Sequence, residues 1–231
     1  MIFTRQTVSF FAFLFILIFF AFGCVKSPVK VAELFSSEIK TSPAVENIAV
    51  TIDLCPSSHP YAKELFNALG SISKRVGKPV PIAVCVSGRW LERHQSELAA
   101  IRRLNLNITW VNHSYSHPVD HDFLNNPDVN FNYEVLHNVK VMERYGLKPS
   151  KYFRFPGLRH NQQRLAELKQ MGYISLDADA WLGKGQPIKN GSIVLIHGNG
   201  NESPKVVKNF IIFLKKNGQK IVLVPISSLA R

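Results

Sequence analysis

The stretch Trp110-Val111-Asn112-His113-Ser114-Tyr115-Ser116-His117-Pro118 joins a predicted strand to a segment with two histidines. The apolar run 107–111 predicts a buried strand that ends just before His113. If one helical turn follows, residues four apart project from the same side, and the two imidazoles can bind one divalent cation. Pro118 would end that turn, because the residue before a proline disfavours helical geometry. Two exposed polar histidines in a loop are the alternative.

Strand and helix patterns alternate along the chain on both sides of this stretch. The predicted strands are 47–54, 81–86, 107–111, 151–155, 172–177, 192–197 and 220–224. The predicted helices are 60–76, 90–105, 129–145, 161–171 and 204–217. This repetition indicates an α/β fold of parallel strands with crossover helices. An open doubly wound sheet and a barrel both remain compatible with the pattern alone.

Ionisable side chains stand where these predicted strands end. They are Asp53, His113, His117, Arg154, Asp177, Asp179 and His197. A charge inside a buried strand is costly unless it is paired. The carboxyl ends of parallel strands meet at one edge of the sheet, which is where sites form in such folds. The sequence therefore predicts one shared polar pocket.

Five pieces that contain these residues occur in a fixed order. They are Thr51-Ile52-Asp53, His113-Ser114-Tyr115-Ser116-His117, Arg154-Phe155-Pro156-Gly157, Asp177-Ala178-Asp179-Ala180-Trp181 and Ile193-Val194-Leu195-Ile196-His197. From residue 47 to about 228 the chain resembles the polysaccharide deacetylases, the NodB-homology group of carbohydrate esterase family 4. The resemblance implies the family's distorted, incomplete (β/α) barrel. It also implies a metal-dependent polysaccharide N-deacetylase, which hydrolyses N-acetyl groups on sugars.

The resemblance further implies a role for each matched residue. Asp53 would be the general base, Arg154 the residue that holds it, and His197 the general acid. Asp177 or Asp179 would be the acid that tunes His197. His113 and His117 would be metal ligands, and the substrate-binding residues would be Trp181, Leu195 and Pro156. The expected cofactor is a divalent metal ion, zinc or in its place cobalt, nickel or manganese. The expected substrate is peptidoglycan or another N-acetylglucosamine polymer.

The first piece departs from the family at Leu54, where the family usually has a metal-binding aspartate. Three outcomes remain open. In the first, another side chain replaces the missing ligand, and the candidates are Asp53, His59, Asp120, His121 and Asp122. In the second, a water molecule takes the place of the ligand. In the third, the site has lost both metal and activity. Two alternative functions follow: a non-catalytic glycan-binding lipoprotein on the same fold, or a hydrolase of another carbon–nitrogen bond.

The first 23 residues predict a signal peptide, with Arg5 before an apolar run at 8–22. The piece Ala21-Phe22-Gly23-Cys24 resembles a bacterial lipoprotein box, so Cys24 is a candidate lipidation site. Simple cleavage and an uncleaved anchor are the alternatives. Residues 24–46 then form a tether and residues 47–231 the catalytic domain. We expect an exported protein of the cell envelope, held at the membrane by its signal or lipid anchor.

Composition and cysteine content add two further expectations. The net charge of +12 favours anionic partners, but the lysines are scattered and form no arginine-rich stripe, so we expect no nucleic acid partner. Apart from Cys24, the chain has Cys55 and Cys85. They are either two buried thiols or a disulfide between neighbouring strands, and the sequence does not choose between these.

Overall fold

The computed structural model describes residues 47–119, 128–218 and 220–230. The predicted signal peptide 1–23, Cys24 and the tether 24–46 lie outside the described residues, as do the candidate ligands Asp120, His121 and Asp122. Among the residues that are described, no helix has the length and apolar character needed to cross a bilayer.

The described chain alternates between strands and helices, as the pattern predicts. The strands are β1 Asn47–Leu54, β2 Val80–Val86, β3 Leu106–Asn112, β4 Pro149–Phe153, β5 Ile174–Ser175, β6 Ala180–Trp181, β7 Ile193–His197 and β8 Val222–Leu223. The α-helices are α1 Lys63–Val76, α2 Gly88–Arg93, α3 Gln95–Arg102, α4 Phe131–Arg144, α5 Gln162–Gln170 and α6 Pro204–Lys216. Short 3₁₀ turns occur at Pro156–Leu158, Leu182–Lys184 and Ile226–Ser228.

The strands form one parallel sheet in the order β5-β4-β3-β2-β1-β7-β6, and β8 pairs with the start of β1. Within the described ranges β5 and β6, the two outer strands, do not pair with each other. The sheet therefore curves into an incomplete barrel, and the predicted α/β fold is confirmed. The inner strand β1 pairs with both β2 and β7, so residues at its carboxyl end have neighbours on two sides.

The two faces of β1 have different environments because side chains alternate along a strand. Ile52 and Leu54 are buried in the main apolar core, where they meet α1 and α6. Thr51 and Asp53 lie on the other face and are also buried. Leu54 is therefore a core residue, and Cys55 follows Asp53 by two positions. This alternation returns Cys55 to the polar side of the sheet.

Some predicted elements differ from the observed ones. The predicted helix 90–105 is two helices, α2 and α3, separated at His94. There the ring stacks on Trp90 with 4.9 Å between centroids, and its Nδ1 is 3.0 Å from the Trp90 carbonyl oxygen. The predicted strands 172–177 and 220–224 shrink to the two-residue β5 and β8. The pattern did not predict β6, because two residues carry no periodicity.

Candidate active site

The predicted helical turn between His113 and His117 is wrong. Ser114 and His117 have positive φ values of 61° and 58°, so the segment is an irregular loop. The side chain of Asn112 accepts a hydrogen bond from the Ser114 N–H at 3.0 Å, and the Ser114 hydroxyl accepts one from the His117 N–H at 3.1 Å. These bonds stabilise a backbone that non-glycine residues rarely adopt. The rings nevertheless meet, with 3.1 Å between their Nε2 atoms.

Helix α4 holds this histidine loop in place. The Glu134 carboxylate accepts hydrogen bonds from the Ser116 N–H at 2.8 Å and from the Ser116 hydroxyl at 2.6 Å. The Asn138 amide donates to the Asn112 side chain at 2.7 Å and to the Val86 carbonyl at 3.0 Å. Buried polar groups of α4 therefore fix the loop to the ends of β2 and β3.

Cys55 completes a group of three potential metal ligands with the two histidines. Its Sγ lies 3.6 Å from the Nε2 of His113, and the donor atoms of Cys55, His113 and His117 all lie within 4.8 Å of one another. Ligand atoms about 2.0–2.3 Å from a tetrahedral zinc are roughly 3.3–3.6 Å apart. The Cys55–His113 and His113–His117 separations are close to that range. These three residues fit a zinc-type cation.

The protonation of His113 agrees with metal binding. Its Nδ1 lies 2.8 Å from the Arg154 carbonyl oxygen, which can only accept a hydrogen bond. Nδ1 therefore carries the proton, and Nε2 presents its lone pair to His117 and Cys55. Burial lowers the pKa of His113, and burial together with the charge of His113 lowers the pKa of His117 to about 3. Both rings are neutral near pH 7, as metal ligands must be.

The Cys55 thiol is buried, with 4 % of its surface exposed. Burial and the Asp53 charge raise its pKa well above the ordinary value, so without a cation it stays protonated. A bound divalent cation deprotonates a ligating thiol. Cys85 is also a free, buried thiol, so within the described residues the alternative of a disulfide between them is not observed.

Asp53 and Arg154 form a buried ion pair beside this group. The Arg154 Nη1 lies 3.3 Å and 3.4 Å from the two carboxylate oxygens of Asp53, and Nη2 donates to the Thr51 hydroxyl at 3.1 Å. Asp53 Oδ2 is 3.7 Å from the Nε2 of His113. Burial would raise the pKa of Asp53, but the charges of Arg154, His113 and His197 outweigh it and lower that pKa. The carboxylate is therefore ionised at neutral pH.

His197 lies directly across from Asp53, because the register pairs these two residues of β7 and β1. Its Nδ1 is 3.2 Å from Oε2 of Glu202, a residue in the loop that follows β7. Burial would lower the pKa of His197. The Glu202 hydrogen bond and the charges of Asp53 and Glu202 outweigh burial and raise that pKa above the ordinary value. A histidine with a raised pKa therefore lies beside an ionised carboxylate.

The acid predicted to tune His197 does not contact it. The exposed carboxylate of Asp177 lies 3.4 Å from the His160 ring. Asp179 accepts a hydrogen bond from the N–H of Ile193 at 2.7 Å, beside the first residue of β7. His197 is the last residue of that strand. Residues 176–179 do not reach His197 because they cross between β5 and β6, the two outer strands of the sheet. The carboxylate that lies next to the Nδ1 of His197 is that of Glu202.

The three predicted substrate-binding residues differ in their exposure. The Trp181 ring is partly exposed and lies 5.7 Å from the His197 ring between centroids. Leu195 is buried two residues before His197, on the same face of β7. Pro156 is buried and begins the 3₁₀ turn that follows Arg154. Trp181 is the one of the three that offers ring surface to a ligand.

Sequence reasoning missed two residues, Cys55 and Glu202. The alternation of Thr51, Asp53 and Cys55 was a usable signal for the first, since all three share one face of β1. Nothing in the pattern points to Glu202, because its approach to His197 depends on the path of a loop. Of the candidate replacement ligands, His59 is exposed and contacts Ser57 and Asn201.

A sequence model described as polysaccharide deacetylase matches residues 40–175, more than half of the 231-residue chain. The chain belongs to the polysaccharide deacetylase family. The prediction of a carbohydrate-active deacetylase, a hydrolase that acts on a glycan, is thereby confirmed. The Cys55, His113 and His117 group agrees with the metal dependence of this family.

Solved structures with the same fold come from the same family. A family 4 carbohydrate esterase from Bacillus anthracis is 23 % identical, with a TM-score of 0.62 over 80 % of this chain and 82 % of that one. A peptidoglycan N-acetylglucosamine deacetylase is 17 % identical, with a TM-score of 0.58 over 83 % and 92 %. A pseudoenzyme of carbohydrate esterase family 4, also from Bacillus anthracis, is 15 % identical, with a TM-score of 0.59 over 82 % and 67 %. At these identities the likeness concerns the fold.

Proposed function

We propose that this deacetylase hydrolyses N-acetyl groups on an amino-sugar polymer of the cell envelope, with peptidoglycan as the first candidate and an extracellular N-acetylglucosamine polymer as the second. A divalent cation, zinc in our proposal, assists the reaction. The observation that carries the proposal is one cluster of side chains from distant parts of the chain. Its members are Asp53, Cys55, His113, His117, Arg154 and His197.

The donor set favours a metal of intermediate softness. Cys55, His113 and His117 provide one sulfur and two nitrogens, which suit zinc or cobalt better than magnesium or calcium. A cation held there would polarise the acetyl carbonyl and lower the pKa of a water molecule that it binds.

The remaining residues move the protons. Asp53, ionised and oriented by Arg154, accepts a proton from the water molecule whose oxygen attacks the acetyl carbonyl carbon. The carbon–nitrogen bond then breaks, and the protonated His197 donates its proton to the leaving sugar amine. Acetate and the free amine are the products. The buried ion pair with Arg154 keeps the orientation of the Asp53 carboxylate fixed.

The substrate class has two supports. The peptidoglycan N-acetylglucosamine deacetylase shares this fold. The net charge of +12 also favours glycans that carry carboxylates, such as those of the bacterial wall. Export to the envelope through residues 1–23, with lipidation at Cys24, belongs to the same proposal because it would bring the catalytic domain to this substrate.

Acetate release tests the proposal. The full-length chain is incubated with zinc, cobalt, nickel or manganese and with acetylated chitooligosaccharide or peptidoglycan. We expect release with at least one metal, and a loss of roughly 10²–10⁴-fold in kcat for Asp53→Asn and for His197→Ala. Glu167→Gln, which removes an ion pair with Arg164 outside the cluster, is the control. No release with any metal from a folded chain would contradict the proposal.

A non-catalytic glycan-binding protein on this fold is the second candidate. Two observations favour it: Leu54 stands where the family usually has a ligand, and a pseudoenzyme of carbohydrate esterase family 4 has the same fold. This candidate predicts that the chain is retained on insoluble peptidoglycan without acetate release. It also predicts that Asp53→Asn binds as well as the unmodified chain.

A further inference from the structure

Glu202 folds back onto His197 from the loop between β7 and α6. Its Oε2 lies 3.2 Å from the His197 Nδ1 and 3.4 Å from the backbone nitrogen of the same residue. The Glu202 side chain is 9 % exposed and that of His197 is 22 % exposed. One carboxylate oxygen therefore engages both the ring and the backbone of His197 in a mostly buried position.

The turn after β6 leaves room for this carboxylate. A Cβ atom on Gly183 would lie 2.7 Å from Oε1 and 3.0 Å from Oε2 of Glu202. A Cβ contact of 2.7 Å essentially never occurs in proteins, so a side chain at position 183 would displace the Glu202 carboxylate from its observed position. Gly183 follows Trp181 and Leu182 in the 3₁₀ turn. The pairing of Glu202 with His197 therefore depends on packing against the segment that carries the predicted substrate-binding tryptophan.

A carboxylate at Nδ1 has a defined effect on an imidazole. It accepts the Nδ1–H, fixes the ring orientation and leaves Nε2 as the atom that exchanges a proton with a substrate. It also favours the protonated ring. Glu202 and Asp53 raise the pKa of His197, and Arg154 lowers it. His113 and His117 also interact with His197, whose charge lowers the pKa of each of them. Lys184 lies nearby over the Trp181 ring.

We propose that Glu202, rather than Asp177 or Asp179, is the carboxylate that positions His197 and keeps it protonated for transfer to the leaving amine. Glu202 is a positioning residue, since it acts through His197. This inference rests on the proposed role of His197 as general acid. It replaces the aspartate that the sequence resemblance implies with a residue from a different segment of the chain.

The test compares Glu202→Gln with Asp177→Asn in the full-length chain. Glutamine keeps the size of the side chain but removes its charge. We expect the pKa of the His197 ring, followed by NMR, to fall by roughly one unit in Glu202→Gln, which is the size of an ordinary environmental shift. We expect the alkaline limb of kcat against pH to move down by the same amount. Asp177→Asn should leave the His197 pKa unchanged.

Gly183→Ala is a second variant, which leaves the Glu202 residue unchanged but places a methyl group in the space that the Glu202 carboxylate occupies. We expect it to lower the His197 pKa in the same direction. Gly185→Ala is its control, because Gly185 is in the same turn with φ +68° and a Cβ there meets nothing within 4 Å. That variant strains the turn without touching Glu202, so it should leave the His197 pKa in place.

The two readouts separate the inference from the proposed function. An unchanged His197 pKa in Glu202→Gln, or a lowered one in Asp177→Asn, would overturn the inference. A lowered pKa without a matching move of the alkaline limb would keep the pairing and remove His197 as the acid. If the unmodified chain released no acetate, NMR alone would still decide whether Glu202 controls the ring.

Discussion

Arg154 is the residue on which the local electrostatics of the site depend most. It is fully buried, and its guanidinium contacts Asp53, Thr51 and the Leu176 carbonyl oxygen. A buried charge without a partner is far less stable than a buried pair. The position of Arg154 one residue after β4 explains why a charged side chain occurs in an otherwise apolar region.

Removing the guanidinium should therefore destabilise the fold. We expect Arg154→Met to lower the free energy of unfolding by about 3–5 kcal/mol, because Asp53 would remain as an unpaired buried carboxylate. Denaturant titration followed by circular dichroism measures the change. The double variant Arg154→Met, Asp53→Leu removes both charges and should lose less stability than Arg154→Met alone. An equal or larger loss in the double variant would argue against an electrostatic cause.

The residues that the sequence could identify are those whose chemistry is uncommon at the end of a strand. His113, His117, Asp53, Arg154 and His197 were recognisable because a buried strand rarely ends in an ionisable group. Cys55 was not, because a buried cysteine is an ordinary core residue. Its role depends on which face of β1 its side chain joins. The departure from the family pattern is at Leu54, one position earlier, and it does not indicate Cys55 as a ligand.

Among the structural elements, the loops after β1 and β7 act as one unit. The amide of Asn199 donates to the Cys55 carbonyl oxygen at 3.0 Å, and the N–H of Ala62 donates to the Gly198 carbonyl at 2.9 Å. Asn201 accepts a hydrogen bond from the Ser57 hydroxyl at 3.1 Å. Because one loop holds Cys55 and the other holds Glu202, their contact links the candidate metal ligand Cys55 to the environment of His197.

Gly200 is a point of close approach between these loops. It has φ +80°, and a Cβ there would lie 2.3 Å from the Pro60 carbonyl oxygen and 2.7 Å from the Cβ of His59. We expect Gly200→Ala to separate the loops, lower the free energy of unfolding and weaken zinc binding. Denaturation and zinc titration measure the two effects.

Gly77→Ala is the matched control for that prediction. Gly77 has φ +71°, but a Cβ there meets nothing within 4 Å. It should cost only the roughly 1–2 kcal/mol of left-handed backbone and leave zinc affinity unchanged. Equal effects of the two variants on stability and on zinc affinity would show that the loop contact has no special role.

The sequence predicted long elements better than short ones. Strands β1, β2, β3 and β7 and most helices were predicted within a few residues, because their apolar periodicity extends over five or more positions. The two-residue β6 carries no such signal. The loop at 113–117 was misassigned because Ser114 and His117 adopt positive φ, which depends on hydrogen bonds from Asn112 and Ser114 rather than on local preference.

For the whole molecule, a metal ion would join segments that are far apart in the chain. Cys55 follows β1, whereas His113 and His117 follow β3. A ligand that binds only the folded state stabilises it by about 2.7 kcal/mol at a concentration one hundredfold above Kd. In a domain of this size that corresponds to a rise in Tm of roughly 5–10 °C.

Chelation should therefore lower the thermal stability of the whole domain. We expect zinc to raise Tm by that amount and a chelator to reverse the rise, as measured by scanning calorimetry. His113→Ala should abolish the zinc-dependent change. His160→Ala is the control, because this histidine contacts Asp177 rather than Cys55, His113 or His117 and should leave the change intact. A zinc effect that survived in His113→Ala would place the ion elsewhere.

The topology explains why one end of the molecule carries the chemistry. The register sets Asp53 beside Cys85 on one side and His197 on the other, and β3 and β4 bring the histidine loop and Arg154 to the same edge. The ionisable residues at the predicted strand ends indicated this meeting point for Asp53, His113, His117, Arg154 and His197, but not for Asp177 and Asp179. The sequence could not supply Glu202, whose position depends on the space left by Gly183 and on the folded path of a loop.

The proposed chemistry depends most on Cys55 as a metal ligand beside the two histidines. The most direct measurement is the absorption spectrum of the full-length chain titrated with cobalt(II). We predict one cobalt per chain with a thiolate-to-cobalt charge-transfer band, present in Cys85→Ser and lost in Cys55→Ser. Cobalt that binds in equal amount without this band, or a band that persists in Cys55→Ser, would contradict the assignment.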